Sequence, residues 1–128
     1  MTYAEFLQSK HRKVVSSGFE KPRENMNQHM FDWQKDIAYW ALKKGRAALF
    51  EDCGLGKTLQ QLEWAQSVCD YTERPVLIVA PLAVAEQTRR EGEKFGYQVS
   101  VCRTQNDVLD GINITNYEML SHFAASKF

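Results

Sequence analysis

One loop combines residue types and a spacing that suit phosphate chemistry. Residues 51–58 read E-D-C-G-L-G-K-T. Small residues at Gly54 and Gly56 let backbone N–H groups approach a polyphosphate closely, and the N-terminus of a following helix adds unpaired donors and a partial positive charge. Lys57 supplies a cation for the β- and γ-phosphates, and Thr58 supplies a hydroxyl ligand for Mg²⁺. The loop therefore predicts a nucleoside triphosphate site.

This loop departs from the strict phosphate-loop pattern G-x-x-x-x-G-K-[ST], because Glu51 stands where that pattern begins with glycine. Its flanks nevertheless fit the motif. Residues 46–50 (R-A-A-L-F) have the pattern of a short buried strand that enters the loop, and residues 58–65 have the pattern of a helix that leaves it. The alternative is a glycine-rich structural turn that binds no nucleotide.

The elements around the loop alternate between helices and strands. Apolar periodicity predicts a helix from Asp32, the candidate N-cap, to about Lys44, with Gly45 as its end. A second helix follows the loop and ends near Thr72. Further strands are predicted at 76–80, 98–102 and 112–114, and further helices at 2–10, 83–95 and 117–123. This alternation indicates an α/β fold with a parallel sheet.

Composition and charge limit the class of protein. The chain has 128 residues, which suggests one domain, and 44% of them are hydrophobic, enough for a core. Its 16 basic and 16 acidic residues balance, so any nucleic-acid site must be local. No apolar run approaches the ~20 residues of a membrane span, and the amino terminus lacks a signal-peptide pattern. We therefore expect a soluble protein with no membrane partner.

The cysteines indicate a reducing compartment. Cys53, Cys69 and Cys102 are odd in number and form no C-x-x-C pair, which favours free thiols in the cytoplasm over disulfides or a zinc site. Cys69 and Cys102 fall at apolar positions and are predicted to lie in the core. Cys53 lies in the phosphate loop, where either an inert or an oxidation-sensitive thiol fits the sequence.

The loop and its surroundings resemble the opening motifs of superfamily-two helicases and translocases of the DEAD/DEAH-box type. The nearest resemblance is to the Swi/Snf-like ATPases, whose loop reads D-E-M-G-L-G-K-T. Residues 54–58 match that loop, and the family also lacks the first glycine. Upstream, residues 30–34 (M-F-D-W-Q) resemble the family's adenine-reading segment, which implies that Gln34 binds the base through its amide. The alternative for Gln34 is a polar side chain on a solvated helical turn.

Two later segments resemble the family's nucleic-acid contacts. Residues 76–82 (V-L-I-V-A-P-L) resemble a strand that ends in a proline loop, although Thr88 stands where the family often has tryptophan. Residues 114–118 (I-T-N-Y-E) resemble the motif I-T-T-Y-E. Hydroxyl and N–H groups in such loops position a nucleic-acid backbone without reading its sequence. The residues implied are Pro81, Leu82, Ala83, Thr115, Asn116 and Tyr117.

The resemblance covers roughly residues 26–120 and implies a fold and a function. It implies a P-loop RecA-like parallel sheet flanked by helices and incomplete at the C-terminus, with residues 1–30 as an extension and 31–128 as the first part of the ATP-binding lobe. It implies ATP and Mg²⁺ as cofactors and DNA rather than RNA as partner. Lys57 and Thr58 would be the catalytic residues. The implied nucleotide-binding residues are Gln34, Gly54, Leu55, Gly56, Lys57 and Thr58, with Thr58 as the metal ligand.

The acidic D-E box and the second lobe of the family have no counterpart in these 128 residues. Hydrolysis needs carboxylates that hold Mg²⁺ and orient the attacking water. The expectation is therefore the ATP-binding part of a DNA-dependent ATPase, inactive alone, whose strands at 46–50 and 76–80 need the remainder of the enzyme or a partner chain beside them. The alternative is a stand-alone, nucleotide-dependent binding module or regulator of another ATPase.

Overall fold

The protein folds as helices packed on a small sheet. The computed structural model describes residues 2–10, 16–51 and 56–128. The helices are α1 (Tyr3–Lys10), α2 (Asp32–Lys44), α3 (Lys57–Thr72) and α4 (Leu82–Lys94), and the strands are β1 (Val76–Val79), β2 (Val99–Val101) and β3 (Ile112–Thr115). Short 3-10 turns occupy Arg23–Asn25, Gln105–Asp107, Tyr117–His122 and Ala125–Lys127.

The sheet is parallel, with the order β1-β3-β2. Ile112 of β3 pairs with Val76 on one side and with Val99 on the other. All four residues of β3 are buried, as expected for a central parallel strand with helices on both faces. The predicted α/β class is confirmed at this level, a three-stranded parallel sheet flanked by helices.

The core lies between α3 and the sheet. Leu62 and Ala65 on α3, together with Ile114 on β3, have no exposed surface. Full burial of a leucine or isoleucine side chain contributes about 1.5–3 kcal/mol. The helix predicted to follow the loop and to end near Thr72 is therefore confirmed as α3.

The strand predicted at residues 46–50 is absent. These residues are irregular, and Leu49 is 40% and Phe50 97% exposed. A β-strand is stable only when a neighbouring strand pairs with its backbone, and the sheet among the described residues contains only β1, β2 and β3. The prediction of a strand here was wrong, because among the described residues no strand pairs with this segment.

The start of α2 and the element at 117–123 also differ from the prediction. Asp32 is the first residue of α2, and the N-cap position belongs to Phe31. The helix predicted at 117–123 is a 3-10 turn over Tyr117–His122. Asn116 precedes this turn and accepts a hydrogen bond from the Met119 N–H at 3.1 Å, so a side-chain cap supports it.

Residues 16–30 pack against the helices. Backbone N–H groups of this segment donate to the last carbonyls of α2: Ser17 to Lys44 (3.0 Å), Gly18 to Lys43 (3.2 Å) and Phe19 to Leu42 (3.0 Å). A Cβ atom on Gly18 would lie 1.7 Å from the Leu42 carbonyl oxygen, so only glycine fits there. Met26 and Met30 are buried in the core. The segment that the sequence suggested as an extension thus closes the C-terminal end of α2.

Every helix among the described residues is too short or too polar to cross a lipid bilayer.

Candidate nucleotide-binding site

Gln34 and Gly56 meet where α2 and α3 begin. The side chain of Gln34 is 4% exposed, and its Oε1 atom accepts a hydrogen bond from the Phe31 N–H at 2.8 Å. Its Nε2 atom lies 2.2 Å from the position of a Cβ atom on Gly56. Gly56 has φ of +71°, a backbone conformation that favours glycine. The structure therefore brings together the two segments that the sequence assigned to the base and to the phosphates.

The N-terminus of α3 provides the expected anion-binding groups. The first backbone hydrogen bond of α3 runs from the Gln60 N–H to the Gly56 carbonyl, at 3.3 Å. The N–H groups ahead of Gln60 therefore have no acceptor within the helix. Lys57 is exposed at the first position of the helix, and Thr58 is half-buried behind it. A positive, exposed side chain thus stands at the N-terminal residue of α3.

Part of the predicted loop lies outside the described residues. Gly54 and Leu55, predicted to contact the nucleotide, belong to this part, and so does Cys53. Cys69 and Cys102, predicted to be core residues, are both buried, which confirms that prediction.

A cavity of about 580 Å³ adjoins the loop between α2, residues 45–51 and α3. Lys57 and Glu51 both line it, and Trp64 forms part of its apolar wall. Both carboxylate oxygens of Glu51 are buried without a hydrogen-bond partner within the described part of the chain. A buried carboxylate without a partner is unfavourable unless a cation or donor pairs with it. Glu51, which the sequence marked only as a departure from the motif, is therefore a candidate cation ligand.

The two segments assigned to nucleic acid lie side by side. Val79 at the end of β1 pairs with Thr115 at the end of β3, and the Ala80 N–H donates to the Thr115 carbonyl at 3.0 Å. Residues 81–83 and 115–117 therefore follow the carboxyl ends of neighbouring parallel strands, the edge at which α/β sheets bind ligands. None of these six residues is basic.

The residues of segments 81–83 and 115–117 differ in how far they are exposed to solvent. Pro81 and Ala83 are exposed, Leu82 is 69% exposed and Tyr117 is 64% exposed. Thr115 is 1% exposed, and within the described residues its hydroxyl has no hydrogen-bond partner. A phosphate can reach Tyr117 and residues 81–83 directly, whereas it reaches the Thr115 hydroxyl only if the surrounding loop moves.

A buried polar cluster behind the site has no counterpart in the sequence analysis. Glu63 on α3 is 3% exposed, and it accepts hydrogen bonds from Lys21 Nζ (2.8 Å, at Oε1) and from the Tyr97 hydroxyl (2.5 Å, at Oε2). Lys21 also donates to Ser67 Oγ at 2.9 Å. The cluster joins the amino-terminal segment, the helix that carries Lys57, and the turn before β2. The sequence signal that could have indicated this cluster was an acidic residue, Glu63, within the apolar stripe of α3.

The cluster changes the acidity of Tyr97. Burial, followed by the hydrogen bond to Glu63 and its negative charge, raises the pKa of the Tyr97 hydroxyl well above its ordinary value of 10.0. The hydroxyl therefore stays protonated and acts as a donor to the Glu63 carboxylate.

Among the described residues, no three His, Cys, Asp or Glu side chains lie together as a metal-binding group. Comparisons with protein-family models, with curated proteins and with solved structures find no match to this chain.

Proposed function

We propose that this protein binds ATP–Mg²⁺ at the loop of residues 51–58, as the ATP-binding part of a DNA-dependent ATPase with a RecA-like fold. The observation that supports it most directly is the contact between the Gln34 amide and Gly56. Two segments far apart in the chain, with separate sequence resemblances to base-binding and phosphate-binding motifs, meet at the N-termini of two helices.

The base would lie at the beginning of α2. The Gln34 amide offers an acceptor and a donor, the combination that matches the edge of adenine. The Phe31 ring, 66% exposed at the N-cap of α2, offers an aromatic face close by for stacking. Because the Gln34 oxygen accepts from the Phe31 N–H, adenine recognition would exchange this bond for one to the base amino group.

The phosphates and the metal would lie at the beginning of α3. The exposed Lys57 ammonium and the N–H groups of the first helical turn, which have no acceptor within the helix, suit a polyphosphate. The Thr58 hydroxyl and the Glu51 carboxylate, whose oxygens have no hydrogen-bond partner within the described residues, offer the oxygen ligands that Mg²⁺ prefers. When bound, ATP–Mg²⁺ supplies a γ-phosphoryl group that water can attack. The 128 residues contain no Asp-Glu dipeptide (D-E, in that order) to serve as the acidic box. We therefore expect binding without turnover in the isolated chain.

Isothermal titration tests the nucleotide site. We expect the wild type to bind ATP–Mg²⁺, and Lys57→Ala to weaken binding by about tenfold or more because a charge-assisted phosphate contact is lost. Lys94→Ala, at the far end of α4, is the charge-matched control and should bind like the wild type. Gln34→Ala should reduce the preference for ATP over GTP. A folded wild type that releases no heat with ATP, and does not displace a fluorescent ATP analogue, would refute the proposal.

The DNA contact needs its own measurement. Fluorescence anisotropy with a labelled duplex should show weak, salt-sensitive binding, because the chain has no net charge. Tyr117→Ala should weaken it, whereas Tyr3→Ala, which removes an even more exposed tyrosine from α1, should not. Equal loss in both variants, or tighter binding to an RNA of the same sequence, would contradict DNA contact at residues 81–83 and 115–117.

A second candidate is a stand-alone nucleotide-dependent regulator of another ATPase. It is favoured by the closed core of the described residues, in which Leu62, Ala65 and Ile114 are fully buried without any added chain. Both candidates predict ATP binding. The regulator alone predicts that the purified chain changes the phosphate-release rate of a second ATPase.

A further inference from the structure

A basic residue follows β2 at the edge of the sheet that carries the proposed DNA contact. Strands β2 and β3 are parallel, and the Cys102 N–H donates to the Ile114 carbonyl at 2.8 Å. The next residue is Arg103, which is exposed. The carboxyl ends of neighbouring parallel strands meet at one edge, and β3 lies between β1 and β2. Arg103 therefore lies beside residues 115–117, on the side away from residues 81–83.

A hydrogen-bonded turn holds Arg103 in place. The Asp107 Oδ2 atom accepts hydrogen bonds from the N–H groups of Arg103 (3.0 Å) and Thr104 (3.2 Å). These bonds, first that from Arg103, lower the pKa of the Asp107 carboxyl below its ordinary value, so it stays ionised and keeps its acceptor role at neutral pH. Gln105 Oε1 also accepts from the Ala124 N–H at 2.9 Å, which ties the turn to the end of the chain. The bonds to Asp107 use the backbone of Arg103 and leave its side chain available.

The guanidinium of Arg103 has no ion-pair partner in the described part of the chain. Asp107 attracts it through space, but the carboxylate is bonded to backbone N–H groups. Arg89 on α4 differs in this respect, because it forms ion pairs with both Glu86 and Glu93. The charge of Arg103 is therefore available to an external anion.

The segments already assigned to DNA offer hydrogen-bond donors without a full charge. The first backbone bonds of α4 run from the Val84 and Ala85 N–H groups to the Pro81 carbonyl, at 2.9 and 3.2 Å. The N–H groups of residues 82 and 83 consequently have no acceptor within the helix. Tyr117 adds an exposed hydroxyl. Binding to a phosphate backbone depends mainly on lysine and arginine, and Arg103 supplies the positive charge that these segments lack.

We propose that Arg103 binds a phosphate of the DNA backbone at the carboxyl end of β2. This inference rests on the proposed DNA contact at residues 81–83 and 115–117, and it adds a third segment to that contact. The ends of β1 and β2 lie about 10 Å apart, since one strand separates them. A backbone that crosses this edge meets the first turn of α4, then Tyr117, then Arg103. The guanidinium can donate two parallel hydrogen bonds to one phosphate, which positions the DNA without reading its sequence.

Three variants isolate the charge of Arg103. Arg103→Gln removes the charge and keeps a polar side chain, whereas Arg103→Lys keeps the charge. Arg90→Gln is the charge-matched control, because Arg90 is 74% exposed on α4 and lies about 12 Å along the helix from Leu82. Circular dichroism verifies that all three keep the wild-type fold, as expected for exposed side chains.

Fluorescence anisotropy with a labelled duplex, repeated at several salt concentrations, gives the readout. Arg103→Gln should bind about fivefold or more weakly than the wild type, and the slope of log affinity against log salt concentration should fall by about one phosphate contact. Arg103→Lys and Arg90→Gln should keep the wild-type slope. An Arg103→Gln variant with wild-type affinity and slope would overturn the proposal. Equal losses in Arg103→Gln and Arg90→Gln would overturn it as well, because the effect would then follow net charge alone.

The same titrations separate this inference from the proposed function. A folded wild type that binds no duplex at low salt would overturn both. If Tyr117→Ala weakens binding and Arg103→Gln does not, the contact at residues 115–117 stands and only the role of Arg103 is refuted.

Arginine footprinting on the wild type provides a test that needs no variant. Phenylglyoxal modifies accessible guanidinium groups, and peptide mapping identifies the modified residues. Saturating duplex should slow the modification of Arg103 and leave that of Arg90 unchanged. Arg103 that reacts at the same rate with and without bound DNA would overturn the proposal even if Arg103→Gln fails to fold.

Discussion

The amide nitrogen of Gln34 lies 2.2 Å from the place where a Cβ atom on Gly56 would be. Glycine is therefore favoured at Gly56 for two separate reasons, the positive φ of +71° and the close approach of Gln34. The contact fixes the beginning of α2 against the beginning of α3. A substitution at Gly56 should consequently disturb the candidate base site as well as the backbone of the phosphate loop.

Gly56→Ala should weaken both the fold and nucleotide binding. The left-handed backbone costs about 1 kcal/mol for a residue with a Cβ atom. The new methyl group must also displace the Gln34 Nε2 atom, and we expect this to disturb the bond that the same amide accepts from the Phe31 N–H. Urea unfolding and ATP titration measure the two effects.

Gly96→Ala is the matched control for this substitution. Gly96 has φ of +90°, and among the described residues no atom lies within 4 Å of the Cβ that alanine would add. Alanine there therefore loses stability only through its left-handed backbone. Gly56→Ala should lose more stability than Gly96→Ala and should also lose ATP affinity. Equal losses of stability, with unchanged affinity, would show that Gln34 is not held by Gly56.

Local patterns predicted α3 and β1. The helix predicted to end near Thr72 is α3, and the strand predicted at 76–80 is β1, which ends at Val79. Residues 46–50 (R-A-A-L-F) also resemble a short strand, but a strand requires a backbone partner, which no local pattern reveals. Phe50 is consequently 97% exposed instead of buried.

Long-range polar contacts were the other part that the sequence could not predict. Lys21, Glu63 and Tyr97 come from three separate segments, and no spacing relates them. The resemblance to helicases named Gln34 and Gly56 individually, but their contact depends on how α2 packs on α3. Glu51 drew attention only as a departure from the motif, because the burial of a side chain next to a loop depends on the packing around it.

Lys21→Met should destabilise the fold strongly. The Lys21 side chain is 21% exposed and that of Glu63 is 4% exposed, so removing the ammonium group leaves a nearly buried carboxylate without its cation. Breaking a buried ion pair in this way costs about 3 kcal/mol. Urea unfolding at neutral pH measures the loss.

The control for this prediction is an exposed ion pair. Lys43 lies 3.4 Å from Glu20, and their side chains are 53% and 63% exposed. Lys43→Met should cost less than about 1 kcal/mol, because solvent screens exposed pairs. If the two methionine variants unfold at the same urea concentration, the Glu63 cluster does not contribute as proposed.

Cys69 and Cys102 should react slowly with thiol reagents in the native protein. Both side chains are buried, and burial is the main cause that raises the pKa of each thiol above its ordinary value. Less thiolate and less access both slow alkylation. Iodoacetamide labelling followed by peptide mapping should show at least about a hundredfold faster modification of these two residues in urea. Equal rates in native and unfolded protein would contradict their place in the core.

Tyr97 should make the fold sensitive to alkaline pH. Because burial and Glu63 raise its pKa in the folded state, the unfolded chain loses this proton first, above about pH 10, while the native protein keeps it. The unfolded state then binds fewer protons, so the free energy of unfolding is unchanged by this group below pH 10 and falls by up to about 1.4 kcal/mol per pH unit above it.

Tyr97→Phe should be less stable at neutral pH, since Glu63 loses a donor, and should show a shallower fall above pH 10. Urea unfolding across this range measures the slope. Tyr117→Phe, which removes an exposed hydroxyl, should retain the wild-type slope. A Tyr97→Phe slope equal to that of the wild type would mean that the proton on Tyr97 does not stabilise the fold.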